Sequence, residues 1–317
     1  MPRSKGAAGA ERGTKPRTAS ANSLGNAARG AEGKGAGESS KLAPGLYLVA
    51  TPIGNLADVT LRALDVLRGV DAVLCEDTRV TAKLLTRYGI AAVTQPYHDH
   101  NAERVRPAIL ARLTAGAALA LVSDAGTPLV SDPGYKLVQA ALAAGVAVTA
   151  VPGPSAALAA LSSSGLPPDR FLFAGFLPAK AAARRRVLDD LKDVAATLLF
   201  FESAPRLAES LADMTEILGV RPAAIARELT KLHEEIRRGA LTELAAHYRA
   251  AGPPKGELVI VVGPPAPAAA SDAELDRALD AALAHKSLRE AVDAVAAATG
   301  ARRRHVYGRA LALKGGR

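Results

Sequence analysis

The stretch Leu121-Val-Ser-Asp-Ala-Gly-Thr-Pro-Leu-Val-Ser-Asp-Pro-Gly134 decides the fold. An apolar run, Ala118 to Val122, ends in a turn rich in Ser, Asp, Gly and Pro, and a helical pattern opens near Gly134. A strand that hands over to a helix through such a turn is the unit of an open α/β sheet. Sheets of that kind bind ligands just beyond the carboxyl ends of their strands. Small residues in the turn let the backbone approach a ligand, and Asp124 supplies an acceptor. Two more loops repeat the arrangement: Val49-Ala-Thr-Pro-Ile-Gly-Asn-Leu56 and Val151-Pro-Gly-Pro-Ser-Ala156 each follow an apolar strand. Three such loops predict one composite small-molecule site.

Outward from these loops, apolar strands alternate with helical patterns. Strands are expected at Leu46–Ala50, Ala72–Cys75, Ala91–Thr94, Ala118–Val122 and Val146–Val151, with helices at Leu61–Arg68, Val80–Tyr88, Glu103–Thr114 and Tyr135–Ala144. This order predicts a mainly parallel sheet with helices on both faces. Gly89, Gly116 and Gly145 each stand where a helix should be capped. A boundary falls at Leu166-Pro-Pro-Asp169. Beyond it, strands near Phe171–Ala174, Thr197–Phe201, Ala223–Arg227 and Glu257–Val262 and helices near Ala181–Leu191, Arg206–Ile217 and Leu241–Arg249 predict a mixed sheet. Pro264-Pro-Ala-Pro267 reads as a stiff linker. The last block reads as two or three short helices, one opened by the capping box Ser287-Leu-Arg-Glu290. The domain expectation is a disordered basic extension over 1–44, an α/β domain over 45–165, a second α/β domain over 166–265, and a linker with a helical RNA-contacting module over 266–317.

The 317 residues carry a net charge of +9 and only 3% aromatics, with no Trp. A basic chain suits a polyanionic partner, while the scarcity of aromatics disfavours a base-stacking platform. The one cysteine, Cys75, lies inside an apolar run, so burial is expected; an intrachain disulfide and a cysteine metal cluster are excluded, which fits a reducing cytoplasm. No run is long and apolar enough to span a membrane, and Arg3 and Lys5 are not followed by the apolar core of a secretory signal.

The first loop has Gly54 alone where a dinucleotide fold needs G-x-G-x-x-G, and no Walker loop is present. The ligand is therefore expected to lack a polyphosphate. S-adenosylmethionine fits, because its adenosine needs apolar walls and backbone partners and its methionine end a few polar groups.

Five motifs occur in order: Thr51-Pro-Ile-Gly-Asn-Leu56, Glu76-Asp-Thr-Arg79, Tyr97-His-Asp-His-Asn101, Ser123 to Gly134, and Val151-Pro-Gly-Pro-Ser155. Together they resemble the bacterial 16S ribosomal RNA cytidine 2′-O-ribose methyltransferases of the tetrapyrrole-methylase superfamily, over about Gly45 to Leu313. The resemblance implies two α/β domains with S-adenosylmethionine in the cleft between them, a homodimer, and a decoding-centre cytidine of the small ribosomal subunit as target. Carried over by position, Pro52, Asp124, Ala125, Gly126, Val130, Ser155, Ala156 and Phe201 contact the cofactor. Phe201 and Glu202 end the second-domain strand that resembles the superfamily's next contact, and Gly256-Glu257-Leu258 closes the site from the last strand. The lack of extra glycines in the first loop fits the ribosomal RNA branch. Asp132-Pro-Gly134 reads equally well as a tight turn before a helix.

Methyl transfer to a hydroxyl needs alignment and a proton acceptor. Glu76, His98 and His100 are the candidates on the second and third loops. His98, Asp99 and His100 are too close in sequence to converge on one ion, so no metal site is expected. Arg79 and Asn101 are candidate RNA contacts. Arg227 and Lys231, after a second-domain strand, suit either an RNA backbone or a solvated strand end. Arg184-Arg-Arg186 opens a helix against its dipole, which favours a phosphate partner. Arg302, Arg303 and Arg304 would position phosphates without reading bases. Two rivals stand beside this reading. One is a C-methyltransferase acting on a porphyrinoid precursor, which has no need of basic terminal helices. The other is a noncatalytic RNA-binding assembly factor that retains the cofactor fold.

Overall fold

The computed structural model describes residues 42–266 and 270–315. The expected extension at 1–44 lies almost wholly outside the described residues, as does Pro267 of the linker. The first sheet holds β1 (Gly45–Val49), β2 (Ala72–Cys75), β3 (Thr94–Pro96), β4 (Ala118–Val122) and β5 (Val148–Val151) in the order β3-β2-β4-β1-β5. Every pairing is parallel, with Leu46 opposite both Leu119 and Val148. The all-buried runs Ala72–Cys75 and Ala118–Val122 suit strands covered on both faces.

Helices α1 (Leu61–Gly69) and α2 (Thr78–Arg87) pack on one face through Leu64, Leu67, Leu84 and Leu85. Helices α3 (Asp99–Thr114) and α4 (Tyr135–Ala143) cover the other through Ile109, Leu113, Leu137 and Ala141. Gly89, Gly116 and Gly145 follow α2, α3 and α4 with φ of 62°, 92° and 73°, the left-handed turn that ends a helix. Cys75 is fully buried. The third strand differs from expectation. The ladder runs over Thr94–Pro96, and the Ala91–Val93 run precedes it, with Val93 69% exposed. An edge strand has one partner and does not need an apolar run to hold it.

The second sheet holds β6 (Phe171–Phe176), β7 (Thr197–Ser203), β8 (Pro222–Arg227), β9 (Glu235–Ala240) and β10 (Glu257–Val262) in the order β6-β7-β10-β8-β9. Only β6 and β7 pair in parallel, so the sheet is mixed. The sequence reading omitted β9, whose run Glu-Ile-Arg-Arg-Gly-Ala carries too little apolar alternation to show. Helices α6 (Ala181–Leu191), α7 (Leu207–Leu218) and α8 (Leu241–Ala251) cover one face around Phe200, Met214 and Ile260. The other face is covered by α5 (Ala156–Ser164), which follows β5 directly. Its Ala157, Ala160 and Leu161 pack with Ile53 against Leu199, Ala224, Val259 and Val261. One apolar cluster thus joins the first-loop residue Ile53 to the second sheet.

Three short helices, α9 (Asp272–Leu283), α10 (Leu288–Thr299) and α11 (Arg303–Gly315), share their own core of Leu275, Leu279, Val292, Val295, Val306 and Ala310. The capping box at Ser287 is formed: Glu290 accepts from the Ser287 N–H at 3.0 Å. Gly300, with φ of 68°, turns α10 into α11.

Candidate active site

Strands β4, β1 and β5 are neighbours, so the loops that follow them leave the sheet side by side. Backbone groups of Thr51 and Gly126 exchange two hydrogen bonds of 2.9 and 3.0 Å, which joins the first loop to the β4 loop. Thr51 Oγ1 donates to Ser123 O at 3.1 Å, and Thr127 Oγ1 donates to Pro154 O at 3.2 Å. The three loops therefore form one platform. Asp124 Oδ1 accepts from the Asp77 N–H at 3.0 Å, which ties in the loop after β2 as well.

Between this platform and the second sheet lies a cavity of about 560 Å³. The platform contributes Ile53, Asp124, Ala125, Gly126, Thr127, Val130, Ser131, Asp132, Ser155 and Ala156. The sheet side contributes Phe176, Phe201, Glu202, Ala226, Leu258 and Val259, with Leu229 and the turn residues Gly256 and Glu257. Volume and lining are those of a small-molecule site, with mostly apolar walls and few polar groups. Seven of the eight expected cofactor contacts line it: Asp124, Ala125, Gly126, Val130, Ser155, Ala156 and Phe201. Pro52 does not. It is buried behind the loop, and its neighbour Ile53 forms the wall. Which side chain of a loop faces inward depends on backbone torsions that the motif does not spell out.

The cavity suits a cationic nucleoside. Gly126 has φ of 82°, and a Cβ there would stand 3.3 Å from Ile53 Cγ2, so this stretch of backbone is bare by necessity. Ile53, Val130, Phe201, Ala226 and Val259 offer apolar faces for a purine and ribose. Asp124, Asp132 and Glu257 supply negative charge for a sulfonium and an ammonium group, whereas the Glu202 carboxylate lies against α7 and pairs with Arg206 at 3.4 Å. Glu202 is only 3% exposed, and its carboxylate is fixed by the Ser203 N–H at 2.8 Å and by Ser210 Oγ at 2.5 Å.

An acidic group gathers where the platform meets the β2 and β3 loops. Burial first, then the charge of Glu76, pushes the Asp132 carboxyl up to about 6. Glu76 is also raised, by burial and then by Asp124 and Asp99, with His98 opposing. Asp77 falls to about 2 because Arg79 donates to both its oxygens. None of Glu76, His98 and His100 lines the cavity. Glu76 is exposed, His98 is half-buried at the start of α3, and His100 is exposed. The two imidazoles lie edge to face, 6.0 Å apart. The sequence reading left Asp132 as a turn residue, because nothing in Asp-Pro-Gly shows which way its carboxylate points.

Several expected RNA contacts are engaged within the protein. Asn101 caps α3: its Oδ1 accepts from the His98 N–H at 3.0 Å and its amide donates to Pro96 O at 3.1 Å. Arg79 is held by Asp77, although its side chain is 87% exposed. Arg227 pairs with Glu235. Lys231 donates to Glu228 and Glu257 at 2.8 and 3.1 Å. Of the Arg184-Arg-Arg186 run, Arg184 is turned inward, while Arg185 and Arg186 are exposed. Arg184 is buried and donates to Asp213 at 2.5 Å, while Arg185 donates to the same carboxylate at 2.7 Å. Their partners lie 28 and 29 residues away, beyond local reading. In the helical module Arg303 pairs with Asp293. Arg302 and Arg304 are exposed and make no ion pair among the described residues. They border a small cleft with His305, Gly308 and Arg309. The described residues contain no cluster of metal-ligand type and no helix long and apolar enough to cross a membrane.

Residues 45–245 match the tetrapyrrole (corrin/porphyrin) methylases, and residues 269–314 match the RsmI C-terminal HTH domain. Ribosomal RNA small subunit methyltransferase I of Mesorhizobium japonicum is 56% identical over 274 residues, which covers 86% of this chain and 93% of that protein. The protein of the same name from Erythrobacter litoralis is 55% identical, over 86% of this chain and 96% of its own length. Among solved structures, cobalt precorrin-4 methyltransferase aligns with a TM-score of 0.52 at 19% identity, over 69% of this chain and 94% of its own. Diphthine synthase aligns with a TM-score of 0.55 at 17% identity, over 69% and 89%. At such identities these two structures share the fold.

Proposed function

The chain belongs to the tetrapyrrole methylase family, and from that premise we propose that it transfers a methyl group from S-adenosylmethionine to the 2′-hydroxyl of a cytidine ribose in 16S ribosomal RNA. The observation that carries this reading is the extent of the likeness to small-subunit RNA methyltransferases. At 55–56% identity it covers 86% of the chain, with a separate match to the helical module. The likeness to the corrin enzyme spans only 69% of the chain at 19% identity. The porphyrinoid and assembly-factor alternatives are not favoured.

S-adenosylmethionine, when bound, supplies a methyl group on a cationic sulfur. The residues of this chain bind, orient and exclude water. Ile53, Val130, Phe201 and Val259 provide the apolar walls for the adenosine. Asp124 and Glu257 set the electrostatics that favour a cation. Bare backbone at Ala125, Gly126 and Ala156 allows close approach. Holding a sugar oxygen in line behind the methyl is the main contribution such a site makes to the rate. The exposed Arg302 and Arg304, and the exposed Arg79, suit phosphate contacts that position the RNA. His98 and His100 border the acidic wall on the substrate side. The small subunit as particle, a cytoplasmic setting and a homodimer complete the reading.

The deciding experiment maps 2′-O-methyl groups on small-subunit RNA from cells with and without this protein. One cytidine that loses its methyl group in the absence of the protein, and regains it on treatment of purified subunits with protein and donor, is the expected result. An unchanged map defeats the reading.

A further inference from the structure

Asp132 stands in the cavity wall on a loop whose backbone is strained on its behalf. Leu129 and Ser131 both adopt left-handed torsions, with φ of 73° and 67°, and Gly134 follows at 130°. Non-glycine residues in this region are uncommon and persist where the surroundings over-determine them. Here the surroundings come from both lobes. A Cβ at Gly134 would sit 2.7 Å from Leu121 and Leu129 side-chain carbons, and a Cβ at Gly175, on the irregular part of β6, would meet Ser131 Oγ at 3.4 Å. The first sheet and the edge of the second thus clamp the loop on either side of Asp132.

Asp132 lines the cavity and the exposed Glu76 beside it does not, so of the two carboxyls Asp132 is the one that faces a bound donor. We propose that Asp132 is the catalytic proton acceptor of the methyl transfer, with the like charge of Glu76 acting on it from outside the cavity. The proposal rests on the ribose-methylation reading above. In the step, the sugar oxygen attacks the methyl carbon and forms the new C–O bond. The C–S bond breaks and sulfur keeps its electron pair. The O–H bond breaks and the proton passes to the Asp132 carboxylate. A carboxyl raised to about 6 is still ionised at neutral pH and is more basic than an ordinary one, as the task requires. Around it stand the carboxylates of Glu76 and Asp124 and the Ser123 hydroxyl on its own lobe, and across the cavity Glu257 in its ion pair with Lys231. Around Glu76 stand Asp77, Asp99 and His98.

The test uses the full chain, unmethylated small subunits and labelled S-adenosylmethionine under single-turnover conditions from pH 5 to 9, with calorimetry of S-adenosylhomocysteine alongside. Asp132→Asn is expected to slow transfer by about 100-fold or more, while the dissociation constant changes by less than about threefold. The wild-type rate should rise with unit slope to a midpoint near 6, and that limb should vanish in the variant. Glu76→Gln should move the midpoint downward by removing a like charge, which keeps the proposal testable if Asp132→Asn does not fold. Transfer within threefold of wild type, or a deficit that saturating donor restores together with a matching loss of affinity, overturns the assignment. An unmoved midpoint in Glu76→Gln overturns the part given to Glu76. Wild-type protein that labels no small-subunit RNA sinks the functional reading itself, and this proposal with it.

Discussion

Lys231 of the second lobe lies across Gly54 of the first. A Cβ built on Gly54 would stand 2.5 Å from Lys231 Cγ, and the Asn55 N–H donates to Thr230 Oγ1 at 3.1 Å. The ammonium group then reaches Glu228 and Glu257, and Glu228 also accepts from the Glu257 N–H at 3.0 Å. Lys231, which the sequence offers either to an RNA backbone or to solvent, forms a clasp between the lobes and fixes the strand end that carries the cavity residues Gly256 and Glu257. Glu228 and Thr230 hold left-handed torsions, with φ of 49° and 66°, within this clasp.

Lys231→Met should therefore act on the donor and not on RNA. The ion pairs are partly exposed, so the stability loss should be about 0.5 kcal/mol. Donor affinity should fall about threefold to tenfold, because the cavity turn loses its fastening. Calorimetry with S-adenosylhomocysteine and filter binding of subunits separate the two. A loss confined to subunit binding would refute the clasp.

Asp124 both faces the cavity and holds the Asp77 N–H. Asp124→Ala should weaken donor binding by about tenfold and destabilise the fold by about 1–2 kcal/mol, since it leaves a half-buried N–H without its partner. Asp124→Asn keeps an acceptor oxygen and should recover most of the stability but not the affinity, which depends on charge. Urea titration and calorimetry on both variants check this. Equal affinity in wild type and Asp124→Asn would show that the charge is not used.

Arg184 and Arg304 are neighbours in type and opposites in role. Arg184 and Asp213 are 3% and 6% exposed at the side chain. Arg184→Ala should cost about 2 kcal/mol, because the buried Asp213 loses one charged hydrogen-bond partner and keeps Arg185, and leave subunit binding per folded molecule unchanged. The double change Arg302→Ala with Arg304→Ala should leave the melting temperature within a degree. It should weaken subunit binding and lower the slope of log affinity against log salt by about 1–2. Thermal melts and a salt series decide. A salt slope that stays constant would remove these arginines from the RNA surface.

The contrast between those arginines marks how far the sequence could be read. The parallel strands, the three loops and the capping glycines follow from local periodicity and turn chemistry, and they stand where expected. Strand β9 carried no such signal, and β3 lies two or three residues past its apolar run because an edge strand asks little of its side chains. Within the site, the loop segments were legible but the side chains facing inward were not. Ile53 lines the wall in place of Pro52, and Asp132 faces the cavity from a turn that reads as ordinary. The ion pairs that occupy Arg184, Arg227 and Lys231 depend on tertiary contacts, so charge alone could not show them.

The raised Asp132 carboxyl also has a consequence for stability. Its folded value of about 6 lies above the ordinary carboxyl range, so the folded state holds this proton more tightly than the unfolded chain. The resulting stabilisation is fully present below about pH 4, where both states are protonated, and is lost as pH rises through 6. Asp132→Asn carries no titrating proton there and should escape that loss. The variant should gain on wild type by a few degrees in melting temperature between pH 4.5 and 7.5, with the difference flat above pH 7.5. Glu76→Gln removes the like charge beside Asp132 and should give a smaller gain in the same direction. Melting curves at half-unit pH intervals measure both. If the Asp132→Asn and wild-type curves stay parallel from pH 4.5 to 7.5, the carboxyl is not held in its protonated form by the folded state. A base selected for reactivity would then have to draw its basicity from the bound substrate.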